Sequence, residues 1–236
     1  EVSGGSRQLT TGCLKSIGKL NGLRELQLVS SLKWNEEGYD ANDFRNLQGL
    51  TKLIEWEPYD WRIDDAGIAW LEDAEDLEMV FGWGPEVTDE GFAALAGKPD
   101  LGVIRLGTTK ITDASFKLLE NHAELYWLSC SSPDLTNAAI DSVITMSNLR
   151  EVHLFQSQVT DAGVQTLIDS IGELPRLEIV NLSNTGVSQA AVEKLRAARE
   201  GLRVLATPPP AEDQTESDEV EPSDQSAESE DESASD

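Results

Sequence analysis

The chain is short of the residues that most chemistry requires. Two cysteines, Cys13 and Cys130, stand among 236 residues, too few for a disulfide framework and wrongly spaced for a thiolate metal site. Histidine is as scarce: His122 falls near a helix end and His153 on a strand of the pattern described below. No paired imidazole ligand set is therefore expected, and no metal or cofactor. No apolar stretch approaches the roughly 20 residues that span a bilayer, and no secretory signal is visible. These absences favour a soluble protein and lean to the cytoplasm. The chain opens at Glu1, so a removed leader stays open.

Basic residues are scarce too. Lys and Arg number 18 against 44 Asp and Glu, a formal charge of −26. Such a chain repels nucleic acid and anionic lipid surfaces, and the partner expected is a protein or peptide with basic edges. Oligomeric state is left open. Twelve of the acids lie in residues 207–236, where no Lys or Arg occurs. That segment has almost no apolar side chains to offset the entropy of ordering, so an acidic disordered tail is expected there.

What the chain has in abundance is repetition. Leucine stands at 23, 53, 77, 101, 125, 149, 177 and 202. An apolar residue follows three positions later in each unit, from Leu26 and Trp56 through Val180 and Leu205. Two positions further the pattern is clean at Leu106 and Leu154 and worn at Pro58, Gly82 and Thr207. The L-x-L part reads as a short strand with one face inward. The rest of each unit carries apolar pairs three apart, such as Phe92 with Leu95 and Phe116 with Leu119. That spacing marks one face of a helix about ten residues long.

VTDAGVQTL at 159–167 returns as VTDEGFAAL at 87–95 and ITDASFKLL at 111–119. Its threonine position holds Thr10, Asp40, Asp64, Thr88, Thr112, Thr136, Thr160 and Ser188, all of them residues that cap a helix N-terminus. Asp65, Asp89, Asp113, Asn137 and Asp161 follow, where a carboxylate favours the positive end of the helix dipole. Helix initiation, and not catalysis, is the expected role of these acids. A unit of strand, turn and helix cannot bury its own stripe, whereas stacked units bury a continuous core.

On Leu101, Ile104 and Leu106 followed by ITDAS, and Leu177, Val180 and Leu182 followed by VSQAA, the chain resembles the leucine-rich repeat family. The likeness is to its ribonuclease-inhibitor-like class, in the bacterial T-D-A-G variant. It covers residues 9–206, about seven repeats and a final strand. It implies an α/β solenoid, a right-handed horseshoe with a parallel sheet on the concave face and short helices on the convex face. It also implies a non-catalytic scaffold that binds protein or peptide. F-box relatives with similar repeats supply the alternative, a substrate-receptor subunit of a ubiquitin ligase, although no F-box precedes Leu9. The chain departs from the family at the turn position, where many relatives place asparagine and this sequence has Ser31, Trp61, Pro85, Thr109, Pro133, Ser157 and Thr185.

A closed eight-unit barrel would bury Glu55, Glu57, Arg105, Glu151 and His153 inside a core, so an open stack is expected. Gly82-Trp-Gly84 lacks the third glycine of a dinucleotide turn, and the run from Gly91 to Lys98 has the wrong spacing for a phosphate loop. What remains is the inner curve, where strand residues between the core positions form cross-strand rows. These rows gather Tyr59, Met79, Phe81, Trp83, Val103 and Trp127 beside Glu55 and Glu57, with Arg105, His153 and Phe155 further along. Aromatic anchors inside a charged rim are the composition of a protein-binding hot spot. These eleven residues are the candidate partner-binding set.

Overall fold

The computed structural model describes residues 2–4, 11–29, 41–59 and 62–207. The expected acidic tail lies outside these residues, as do Ser31, Trp61 and most of the irregular stretch in the first unit. Nine strands form one parallel sheet: β1 (Val2–Gly4), β2 (Glu25–Val29), β3 (Glu55–Tyr59), β5 (Met79–Phe81), β7 (Val103–Thr108), β8 (Trp127–Ser131), β9 (Glu151–His153), β10 (Ile179–Asn181) and β11 (Arg203–Leu205). They pair in chain order, so each unit lies against the next. Two further strands, β4 (Arg62–Asp64) and β6 (Trp83–Glu86), pair in a small parallel sheet of their own. β1 adds a strand ahead of residue 9, with Val2 opposite Leu26.

The repeated leucines and their partners fill a single core. Every leucine of the first series is buried, as are Trp56, Val80, Ile104, Leu128, Val152 and Val180. Phe44, Ile68, Phe92 and Phe116 pack behind them from the helical side. Trp56 fits where other units place a leucine-sized residue because Phe44 and Trp70 meet it edge-on, with ring centroids 5.8 and 5.6 Å away. Cys130 occupies a core strand position, and burial pushes its thiol up to about 12. One core assignment fails. β11 sets Val204, not Leu205, opposite Val180, so Leu205 turns outward and is 40% exposed. The final unit reaches its strand one residue early.

The helices are shorter than the ten residues expected. α1 (Thr11–Ile17), α2 (Asp65–Ala69), α3 (Asp89–Phe92), α4 (Asp113–Lys117) and α5 (Ala138–Val143) run four to seven residues. α2 and α3 pass directly into 3-10 turns at Trp70–Asp73 and Ala93–Leu95. Tightening to i→i+3 bonds returns the chain to the next strand within a short unit. Only α6 (Asp161–Asp169) and α7 (Gln189–Ala198) approach the expected length. The extra residues of the sixth unit extend α6 and add a 3-10 turn at Ile171–Glu173.

The aspartates do more than start helices. Asp65 accepts from the backbone N–H of Thr88 at 2.7 Å, from the Thr88 hydroxyl at 2.7 Å and from the Gly91 N–H at 3.1 Å. Asp89 accepts from the Thr112 N–H and hydroxyl at 2.9 and 2.7 Å, and from the Ser115 hydroxyl. Asp113 holds Thr136 in the same way, and Asp161 holds Ser188. Each carboxylate therefore bonds the cap residue of the following unit, forming a ladder along the solenoid. At Gly91 the ladder leaves no room for a Cβ, which would stand 2.3 Å from the Asp65 Oδ1, whereas Ser115, Ala139 and Ala191 fill the same motif position in other units.

The threonines keep their capping role where the ladder has a carboxylate. The hydroxyls of Thr88, Thr112 and Thr136 donate to the aspartate and accept from a helix N–H at 3.2 Å. Thr160 is the exception. Its ladder partner is Asn137, whose amide Nδ2 donates to the hydroxyl at 3.0 Å, and no helix N–H bonds the Thr160 side chain. At the turn position, the hydroxyls of Thr109, Ser157 and Thr185 donate to the carbonyls of Ser131, Leu154 and Leu182. They meet the turn's backbone needs without asparagine.

Asp89→Ala is expected to destabilise by about 2 kcal/mol, since it strands donors that the carboxylate satisfies. Thr160→Ala should cost less than about 0.5 kcal/mol, as no cap bond is lost. Urea unfolding of the two variants measures both, and equal losses would contradict the ladder. Burial pushes the Asp89 carboxyl up, but the hydrogen bonds from Ser115 and Thr112 outweigh it and hold it below the usual 3.8. The bonds from Ser188 do the same for Asp161. A depressed folded-state value stabilises the fold above pH 3.8 and loses that contribution as pH falls through the lower folded value. Acid titrations should show the loss of stability below pH 4 becoming shallower in Asp89→Asn.

Candidate functional site

Strand alternation places one set of side chains in the core and the other on the open concave face. Register then lines up the open set into rows across the sheet. One row runs through Phe81, Arg105, Ser129, His153 and Asn181, with Gln27 and Glu57 opposite one another at its start. The next row runs Glu25, Glu55, Met79, Val103, Trp127, Glu151, Ile179 and Arg203.

A cavity of about 470 Å³ opens on this face. Its walls are Phe81, Trp83, Trp127 and Phe155, with Glu57, Arg105 and His153 as its ionisable groups and Pro58, Gly82, Gly107 and Ser129 completing the lining. Seven of the eleven residues expected from the sequence thus meet at one place. Four do not. Met79 and Glu55 lie in the neighbouring row. Tyr59 ends β3, and its side chain is outside the described set. Val103, expected on the open surface, is 2% exposed, because it lies between the larger Met79 and Trp127 on the flanking strands.

Phe81 and Trp83 are not on one continuous strand, as simple alternation implies. β5 stops at Phe81, and β6 begins at Trp83 after a break at Gly82. The backbone at this break is closely packed: a Cβ on Gly82 would meet Ile63 and Pro58 at 3.2 and 3.3 Å. The chain diverts to pair with Arg62 and leaves Trp83 47% exposed. β7 answers with a bulge. Arg105 pairs with Ser129, but Gly107 pairs with Cys130, and Gly107 has φ +58°. A Cβ there would lie 3.5 Å from Cε3 of Trp83, so the indole rests against bare backbone. The lining residues that sequence reasoning passed over, Pro58, Gly82 and Gly107, did leave a signal. Pro58 and Gly82 stand where the repeat should carry leucine, at the point where the regular strand path is abandoned.

The polar groups are arranged around Trp127. The Arg105 guanidinium lies 5.8 Å from its ring centroid, within cation–π range. The His153 imidazole stacks on the indole at 6.2 Å with an interplanar angle of 19°. The Ser183 N–H bonds Asn181 Oδ1 at 3.0 Å, which turns the amide nitrogen toward His153 Nδ1 at 3.3 Å. His153 accordingly accepts at Nδ1 and donates through Nε2 to Glu151, 3.3 Å away. Gln27 donates to Glu57 at 2.7 Å, and Glu57 is only 8% exposed. Among the described residues the buried Nε1–H of Trp127 has no acceptor. Among the described residues, no group of three or more His, Cys, Asp or Glu is placed to hold a metal, and no helix is long and apolar enough to cross a membrane.

No family model and no curated protein sequence matches the chain. Similarity appears in three dimensions. The chain is similar to a structure of the yeast Rad7–Elc1 complex at 20% identity and a TM-score of 0.52, covering 72% of this chain and 45% of that one. It is also similar to an internalin, InlF of Listeria monocytogenes, at 18% identity and a TM-score of 0.42, covering 81% and 69%. The plant peptide hormone receptor RGFR1, solved with RGF2, matches at 13% identity and a TM-score of 0.42, covering 81% and 40%. The chain has the leucine-rich-repeat fold. It spans less than half the length of the Rad7-complex chain it matches, and at this identity the likeness establishes fold alone.

Within this leucine-rich-repeat sheet, Gly107→Val is expected to destabilise by about 1–2 kcal/mol, since a side chain is strained at positive φ. It should also shift the tryptophan emission as Trp83 is displaced. Unfolding curves and fluorescence spectra measure the two effects, and an unchanged spectrum would contradict the packing of Trp83 on Gly107.

Proposed function

We infer that the protein is a non-catalytic scaffold that binds a protein or peptide on its concave face. One observation carries this reading: four aromatic side chains, three on separate strands and Phe155 in the turn after β9, converge on an open cavity of about 470 Å³ that the fold itself does not fill. Large aromatic surface left accessible beside charged groups is what binding hot spots are made of. Glu25, Glu55 and Glu57 line up on β2 and β3, and their charge complements a partner with basic edges, chiefly through the association rate. Nucleic acid and anionic membranes remain poor partners for a chain of charge −26. Catalysis finds no support in the site, where the histidine bonds Glu151 and Asn181; Cys130 lies in the core, outside the cavity lining, and is a poor thiolate. No observation here favours the ubiquitin-ligase reading over a general scaffold.

The test is affinity capture with wild type beside a Trp83→Ala, Trp127→Ala double variant. Capture of a specific partner should be lost in the variant, while circular dichroism stays native. Truncating one central aromatic should weaken binding by about 2 kcal/mol or more. Capture that survives both substitutions and is instead lost on charge reversal along the helical face would place the site elsewhere.

A further inference from the structure

The concave face carries Glu25, Glu55 and Glu57 toward one end and an arginine, Arg105, at its centre. Arg105 stands mid-sheet on β7, exposed, and its guanidinium lies over the Trp127 ring. Among the described residues no carboxylate comes within bridging distance of it, although acids outnumber bases 44 to 18. Lys52, Lys110 and Arg150 each have a carboxylate at 4 Å or closer, whereas Arg105 shares with the exposed Arg24, Lys117, Arg176 and Arg203 the lack of one among the described residues and differs from them in lining the cavity. Glu57 shares the cavity with Arg105 but takes its hydrogen bond from Gln27. An arginine fork is suited to a carboxylate, and in a partly desolvated aromatic pocket that pairing outweighs the same contact at a rim.

We propose that Arg105 receives an acidic side chain of the partner, from an internal and extended segment that also places an apolar side chain against Phe81 and Trp83. This inference rests on the concave-face reading and adds polarity to it. β3 and β7 are two strand spacings apart, about 10 Å, so the partner's acid sits about that far from the basic group that faces Glu55 and Glu57. A segment laid across the strands is thereby oriented, basic end over β2 and β3 and acidic residue over β7. β7 is the fifth of nine strands in the sheet, so a segment crossing at Arg105 has strands to follow in both directions, which is why a side chain, not a chain end, is assigned.

Random peptides displayed with a blocked C-terminus, selected on the full chain, supply the probe. Asp or Glu should be enriched beside an apolar residue, with Lys or Arg at a fixed separation. For one selected peptide made synthetically, Arg105→Glu should lower affinity roughly tenfold or more. The same peptide with its acid changed to Lys should regain that affinity on the Arg105→Glu chain and not on wild type. Arg105→Gln, which keeps the stem, should be intermediate, and circular dichroism confirms that each variant is folded. If Arg105→Glu leaves affinity unchanged while Trp83→Ala abolishes it, the concave site stands and the acidic contact is wrong. Binding indifferent to both substitutions removes the site itself. Peptides that bind only with a free C-terminal carboxylate would assign Arg105 to a chain end and overturn the side-chain contact.

Discussion

The carboxylate that bonds the next unit's cap is the contact on which this architecture depends. A parallel strand stack sets the spacing of units on one side, near 4.8 Å per strand, but nothing in a strand ladder fixes where the helical side begins. Asp65, Asp89, Asp113 and Asp161 do so by holding Thr88, Thr112, Thr136 and Ser188 through backbone and hydroxyl together. α3, α4 and α7 each follow a cap residue held in this way. At Gly91 the preceding carboxylate also occupies the space a Cβ would need.

Fixed register is what turns scattered strand residues into a surface. Because Phe81, Arg105, Ser129 and His153 face one another across four strands, side chains 24 residues apart become neighbours. The regular ladder would give a flat row. Its interruption at Gly82 and the bulge before Gly107 let Trp83 leave the regular path and close one side of the cavity. Arg105 and His153, on the strands flanking β8, both pack against the Trp127 ring. The cavity therefore arises where the repeat departs from its own rule.

Much of this was legible in the sequence, because a period is a strong signal. The core leucines, the cap residues and the concave rows all follow from counting. The misses have physical causes. Val103 reads as surface by alternation, but the size of Met79 and Trp127 beside it decides its burial. Leu205 reads as core by spacing, but Val204 is the residue that β10 pairs into place. The T-D aspartates read as dipole partners of their own helices, while their hydrogen bonds run to the next unit, a contact that only stacking reveals. Glycine at 82 and 107 carried the shape of the cavity, and a missing side chain is hard to weigh until its neighbours are known.

Backbone hydrogen exchange of the chain with and without a bound partner tests the central claim most directly. If the concave cavity is the binding surface, slowed exchange concentrates in the stretches at 79–84, 103–108, 127–131 and 151–155, with the helices little changed. Protection confined to the helical side, or spread along the ends of the solenoid with those stretches unaffected, would contradict it.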